Sequence, residues 1–139
     1  MTFSREFRVP FGAVDQARVI YYPRFFDFFH RTFEEWFGDA LGTSYAQLVL
    51  EEKLGFPSVR VETEFRRPVR YGERLRIDLE LEAIGRRSIT MRYTAVRLPD
   101  GEVSARATVK KAIVNQESFV SIDIPPQWRS RFEAFKEGS

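Results

Sequence analysis

Residues 23–38 read PRFFDFFHRTFEEWFG. From Pro23 to Phe37 there is no glycine and no internal proline. Pro23 suits a first helical position, where a missing N–H removes no bond, and the segment predicts a helix of about 22 Å at 1.5 Å per residue, with Gly38 as its stop. At 100° per residue, Arg24, Asp27, Arg31, Glu34, Glu35 and Gly38 share a narrow polar stripe. Phe25, Phe26, Phe28, Phe29, Thr32, Phe33, Trp36 and Phe37 fill the remaining arc, roughly 200° wide and centred on Phe29. That arc is too wide for a helix lying flat on a sheet. It asks for a sheet curved around one side of the helix and a further element against another, with the aromatics mainly core.

The flanking sequence supplies the sheet. FSREFRV (3–9) alternates apolar and polar residues and reads as a first strand ended by Pro10. TSYAQLVLEEKLG (43–55) has a Ser/Thr start, helical apolar spacing and a terminal glycine, and predicts a short second helix. VRVETEF (59–65), LRIDLELEAI (75–84), SITMRYTAV (88–96) and VSARATVKKAIV (103–114) each show period two. RYGE (70–73), IGRRS (84–88) and LPDGE (98–102) read as hairpin joints, which predicts an antiparallel meander. Near Lys110 and Lys111 the apolar phase slips from Ala107 and Val109 to Ala112 and Val114, the signature of a β-bulge. PPQWRSRFEAF (125–135) predicts a terminal helix. The fold class is α+β: a curved antiparallel sheet of about five strands around one long central helix, with a short second helix and a C-terminal helix.

A chain of 139 residues, 43% hydrophobic, has room for one core and too little for two ordinary domains, so residues 1–139 are read as one domain. The formal charge is +2 and its 22 basic residues are spread along the chain, which gives no nucleic-acid footprint. With no cysteine, a disulfide framework, thiolate metal site and cysteine nucleophile are excluded; with His30 alone, so is a multi-histidine metal site within one chain. No apolar run reaches the ~20 residues of a membrane span, and MTFSREFRVP lacks a signal-peptide core. A soluble, cytoplasmic protein without cofactor or metal is expected.

Just before the central helix, a loop carries one carboxylate, Asp15, among Ala13, Val14, Gln16 and Ala17. Free N–H groups at a helix N-terminus make an electropositive spot suited to a developing oxyanion. A carboxylate beside it is half of an acyl-transfer site. Composition alone favours a plainer reading, in which Asp15 initiates a turn or caps residues 16–19.

FGAVDQARVIYYPRFFDFFHRTFEEWF (11–37) resembles the N-terminal signature of the 4-hydroxybenzoyl-CoA thioesterase family of hotdog-fold proteins, roughly F-x-D-x-D-xx-G-(I/V)-V-(Y/W)-(Y/F)-x-x-Y leading into a long helix. VRVETEFRRPVRYGERLRIDLEL (59–81) resembles the family's next block, and the two blocks with the strands after them span nearly the whole chain. The resemblance implies a hotdog fold, with Asp15 as the catalytic carboxylate and the Tyr22 backbone N–H polarising the thioester carbonyl. It also implies that Arg86 and Arg87 meet CoA phosphates. The chain departs from the pattern at Ala13, where the family has its first acid, and at Arg18, where many members have glycine. Arg18 either pairs with Asp15 or faces the mouth of the site and attracts an anionic acyl-CoA.

Competing groups have simpler readings. His30 is one turn before Glu34, so an i,i+4 contact accounts for it. Asp27, Glu34 and Glu35, the positions a sister group of hotdog thioesterases would use, lie in the polar stripe. Arg66, Arg67 and Arg70 read as a solvated face. The leading expectation is hydrolysis of an acyl-CoA; the second is a non-hydrolytic acyl-thioester binding protein of the same fold. A hotdog dehydratase ranks last because His30 lacks its setting. Phe25, with Tyr21, Tyr22 and Phe26, is a candidate acyl-group wall, for an aromatic or a fatty acyl group alike. A homodimer or homotetramer with sites built from both chains is expected, because a curled sheet leaves open edges.

Overall fold

The aromatic segment does form the central helix. The computed structural model of the protein describes residues 1–138. A 3-10 turn at Tyr22–Arg24, containing Pro23, leads into α1 (Phe25–Asp39). Gly38 is not the stop: it stays helical, the N–H groups of Ala40 and Leu41 both donate to Trp36 O, and the chain turns at Gly42 with φ +73°. That left-handed conformation is what glycine supplies at low cost. Phe25, Phe28, Phe29, Thr32, Phe33, Trp36 and Phe37 are buried. The Thr32 hydroxyl is satisfied by donating to Phe28 O at 2.8 Å.

Around this helix the strands run in chain order as β1 (Thr2–Arg8), β2 (Leu54–Gly55), β3 (Ser58–Phe65), β4 (Arg74–Ile84), β5 (Ser88–Arg97), β6 (Glu102–Ala112) and β7 (Val114–Asn115). Five form one antiparallel sheet of order β1-β4-β5-β6-β3, while β2 pairs β7 separately. The meander therefore holds only for β4, β5 and β6. RYGE is not a hairpin: β3 pairs β6 at the far edge, and residues 66–73 cross the end of the sheet to reach β4. The turn residues there are real, since Gly72 has φ +82°, but period two identifies strands without identifying their neighbours.

The expected bulge also moves. The irregularity lies on β3, between Ser58 and Arg60, opposite Lys111 and Lys110. From Ala105 to Lys111 β6 keeps phase, with Ala105, Ala107, Val109 and Lys111 all buried, so a lysine takes an inward place that the sequence pattern assigns to Ala112. Further register shifts fall between Leu81 and Ala83 and between Ala95 and Val96. Such bulges bend strands and increase their twist, which curls the sheet about α1.

The helix α2 is shorter than its sequence pattern, Tyr45–Leu50, capped by Ser44 Oγ accepting from Gln47 N. Lys53 at φ +58° breaks the pattern, and Leu54–Gly55 is strand. α3 (Pro126–Glu137) buries Trp128, Phe132 and Phe135. Phe132 stacks on Trp36 at 5.7 Å, Phe135 meets it edge-on at 5.3 Å, and on the sheet side Phe29 stacks on Tyr93 at 4.9 Å. The wide apolar arc thus has both its partners. Full burial of one such side chain contributes about 1.5–3 kcal/mol. β3, at the sheet edge, stays exposed along nearly its whole length, with Val59, Val61 and Phe65 open to solvent.

Candidate functional site

The loop before α1 is built from short-range bonds. After a 3-10 turn at Phe11–Ala13, Asp15 N donates to Val19 O at 3.0 Å, Arg18 N to Asp15 O at 2.9 Å, and Ala17 N to the Asp15 carboxylate Oδ1 at 2.8 Å. Arg18 sits at φ +63°, which explains why glycine is the common choice at this position of the signature. Its exposed side chain makes no hydrogen bond or ion pair among the described residues, so of the two alternatives for Arg18 the pairing with Asp15 is absent. Ala13 is buried and its carbonyl accepts Tyr21 N at 2.9 Å, so the place of the family's first acid is a core position here.

The crossing segment clamps this loop. Ile20 N donates to Val69 O, Tyr71 N to Arg18 O and Gly72 N to Val9 O, at 2.8, 3.0 and 3.0 Å. Glu73 anchors the segment, accepting from Arg70 N at 2.7 Å and from Arg97 Nη2 at 2.8 Å. The Arg97 guanidinium holds the Glu73 carboxyl below the usual carboxylate range. The sequence shows these residues as a turn; that the turn secures the Asp15 loop follows from topology alone.

Asp15 is exposed and lines a cleft of about 550 Å³ with Phe11, Gly12, Val14, Gln16, Tyr21 and Arg24. Arg24 is held by Asp27 at 3.1 Å. Tyr22 and Phe25 line a different hollow of about 170 Å³, beyond Ile20, shared with Phe65 and Pro68. Tyr22 meets Phe65 edge-on and Phe25 packs on it, both at 5.7 Å. The Tyr22 N–H opens the 3-10 turn and so has no acceptor within it. Phe11 is 75% exposed and pairs edge-on with Tyr71 at 5.7 Å, forming an aromatic wall the sequence does not announce.

Arg86 and Arg87 are elsewhere. β4 runs eleven residues from the clamp to their hairpin, roughly 35 Å, so within one chain they stand at the opposite end of the sheet from Asp15. Both donate to Asp123 Oδ1, at 3.1 and 2.8 Å, and the Arg87 hydrogen bond first of all holds that carboxyl below its ordinary value. Arg129 Nη2 donates to Gly85 O at 2.8 Å. Asp123 was invisible as a partner because it lies 36 residues further along the chain.

The remaining groups match their simpler readings. His30 Nε2 is 3.0 Å from Glu34, Glu35 is 3.6 Å from Arg5, and Arg66 is 3.0 Å from Glu64. Beside His30, burial and then Glu34 raise the Tyr45 phenol. No helix among the described residues is long and apolar enough to cross a membrane.

A family model described as the Thioesterase-like superfamily matches residues 9–132. Among solved structures, the chain is similar to a thioesterase-superfamily protein from Jannaschia sp. CCS1, at 25% identity over 96% of this chain and 92% of that one, with a TM-score of 0.87. It is similar to a 1,4-dihydroxy-2-naphthoyl-CoA thioesterase from Synechocystis, at 20% identity over 95% and 96%, TM-score 0.84. A Staphylococcus aureus protein solved in complex with CoA matches at 13% identity over 100% and 86%, TM-score 0.88. The hotdog fold is thereby shown. No curated protein matches the chain.

Proposed function

Because the chain belongs to the thioesterase-like superfamily, we propose that it hydrolyses an acyl-CoA to a free acid and CoA, in the manner of the 4-hydroxybenzoyl-CoA thioesterases. The observation that carries this reading is an exposed carboxylate, Asp15, held in a clamped turn at the wall of a cleft just before the N-terminus of α1. A thioester is already an activated acyl group, so one carboxylate and one oxyanion donor suffice. Asp15 either attacks the carbonyl carbon, giving an anhydride that water opens, or takes a proton from the attacking water. In both cases water supplies the hydroxyl of the acid, and the C–S bond breaks as the thiol leaves with a proton. The Tyr22 N–H, aided by the α1 dipole, meets the oxyanion. Phe25 and Tyr21 contribute to the acyl walls, and Arg18 draws the anionic substrate to the mouth.

The distance from Asp15 to Arg86 and Arg87 is bridged by a second copy. β3 is an exposed edge strand, and pairing it with its own copy about a two-fold axis extends the sheet and reverses it. The partner subunit's hairpin then lies at the Asp15 end, about four strand spacings away, or roughly 19 Å. That suits CoA phosphates remote from the thioester. The neighbours that act on or hold CoA compounds agree with this substrate class.

A non-hydrolytic acyl-thioester binding protein remains the second reading, favoured by the Asp15 Oδ1 already engaged with Ala17 N and by the missing first acid at Ala13. Incubation with short, medium, long and aromatic acyl-CoAs, with free CoA as readout, separates the two. Release of CoA is expected for at least one class; saturable binding without release would replace the hydrolase with the binding protein. Sedimentation should give a dimer or tetramer, and a fully active monomer would remove the shared site.

A further inference from the structure

Among the described residues Lys111 is the one basic side chain buried in the core, at 6% exposure. It lies on the inner face of β6, its Nζ 4.7 Å from the centroid of the Phe33 ring of α1. It donates to Ser58 Oγ at 3.2 Å and Phe56 O at 3.4 Å, and no ion pair among the described residues includes it. A buried ammonium with no carboxylate is costly, and burial lowers its affinity for a proton, as the environment here does. Packing does not call for a charge: methionine would fill the same space and continue the apolar row of Ala105, Ala107 and Val109.

The position of this amine matters more than its burial. Ser58, its hydrogen-bond partner, begins the edge strand β3, whereas Phe65, at the other end of that strand, packs on Tyr22 and Phe25. The two ends are about 23 Å apart, so within one chain Lys111 serves no substrate at its own Asp15. Two-fold antiparallel pairing of β3 with its copy reverses the ends. It brings Lys111 of the partner subunit to two strand spacings, about 10 Å, from the Phe65 end, on the inner face of the sheet. An extended acyl chain of roughly six carbons spans about 6 Å, and its terminal carboxylate with one hydrogen bond of about 2.8 Å to the amine makes up the rest of that distance.

We propose that Lys111 is a specificity-determining residue, contributed across the dimer, that receives a carboxylate at the far end of the acyl group held at the partner's Asp15. The preferred substrates are then ω-carboxyacyl-CoAs. This rests on the acyl-CoA reading above, and the unpaired buried charge supplies the additional observation. Bound carboxylate would complete the missing ion pair in a desolvated setting, where such pairs discriminate strongly.

The test compares adipoyl-CoA with hexanoyl-CoA, which share a six-carbon chain and differ in the terminal carboxylate. Equilibrium binding by calorimetry and hydrolysis by CoA release are measured for the wild type, Lys111→Met and Lys111→Arg. The wild type should prefer adipoyl-CoA; Lys111→Met should lose about thirtyfold or more in affinity and kcat/KM for adipoyl-CoA while hexanoyl-CoA is unchanged, and Lys111→Arg, which keeps a cation, should retain part of the preference. Equal losses on both substrates in Lys111→Met would overturn the proposal and make Lys111 a tie for the start of β3, as would an unchanged ratio. Were Lys111→Met not to fold, wild-type indifference to the carboxylate would overturn it equally. Lysine-dependent adipoyl-CoA binding with no CoA release would uphold the recognition and sink the hydrolase reading; release of CoA with no carboxylate preference would do the reverse.

Discussion

Asp15 has a structural task and a proposed chemical one, and two substitutions separate them. Asp15→Asn keeps an oxygen that accepts the Ala17 N–H, so the turn and its 2.8 Å bond persist. Asp15→Ala removes that acceptor, and one intramolecular hydrogen bond contributes about 0.5–1.5 kcal/mol net, nearer the lower bound for an exposed bond. For a chain of this length, 1 kcal/mol corresponds to roughly 3–4 °C in Tm, so the alanine variant should melt about 2–4 °C below wild type and the asparagine variant within about 1 °C. Catalysis should divide the two differently. Both lose the carboxylate, so both should fall by about a hundredfold or more in kcat, equivalent to about 2.7 kcal/mol of barrier. Melting by differential scanning fluorimetry and release of CoA from saturating acyl-CoA read the two effects on the same preparations. An asparagine variant active within a few-fold of wild type would refute the catalytic reading and leave Asp15 a turn residue. Equal melting of the two variants would refute the account of the turn.

Arg86→Ala combined with Arg87→Ala should raise KM for acyl-CoA more than it lowers kcat, most at low salt where charges are least screened, while an acyl-N-acetylcysteamine without the nucleotide is hydrolysed equally by mutant and wild type; equal KM values for acyl-CoA would return both arginines to Asp123 alone. Glu73 has a folded pKa below its unfolded value, so its contribution to stability is present above the ordinary carboxylate pKa and lost as pH falls through the folded one. The Tm difference between wild type and Glu73→Gln should therefore be largest near neutral pH and shrink below about pH 4, and a difference independent of pH would contradict it. Phe33→Ala empties a fully buried site ringed by Phe37, Tyr45 and Phe56 and should cost about 3–5 kcal/mol in urea denaturation; a loss under 1 kcal/mol would mean the core collapses around the gap.

The central helix was legible because fifteen residues with a 3.6 period leave no alternative, and the width of the apolar arc foretold a second partner, found in α3. Strands were legible by period two, but the place of β3 was not, since pairing partners 40 to 53 residues apart, from Phe65 with Ala105 to Ser58 with Lys111, share no local signal. Lys111 defeated the pattern for a physical reason: its alkyl stem packs as an apolar residue does, so a charged letter marks an inward position. The site divides the same way. Asp15, Arg18, Tyr22 and Phe25 adjoin in sequence and fall at one end of the molecule, while the clamp by Glu73 and the hold of Asp123 on the two arginines depend on contacts that no motif records.

The crossing of residues 66–73 also sets an order of events for a chain emerging from the ribosome. The loop around Asp15 is secured by Val69, Tyr71 and Gly72, and that segment is tied in turn to Ser104 through the N–H groups of Arg66 and Arg67. Since β3 has no neighbour until β6 is made, its row of Val59, Val61 and Phe65 waits unpaired through the synthesis of some forty further residues. Pairings of such long sequence separation close late, and waiting edges are where nascent chains stick to one another. The residues that emerge first are thus the last to acquire their working geometry, and a nascent chain halted before residue 102 carries Asp15 without the scaffold that holds it.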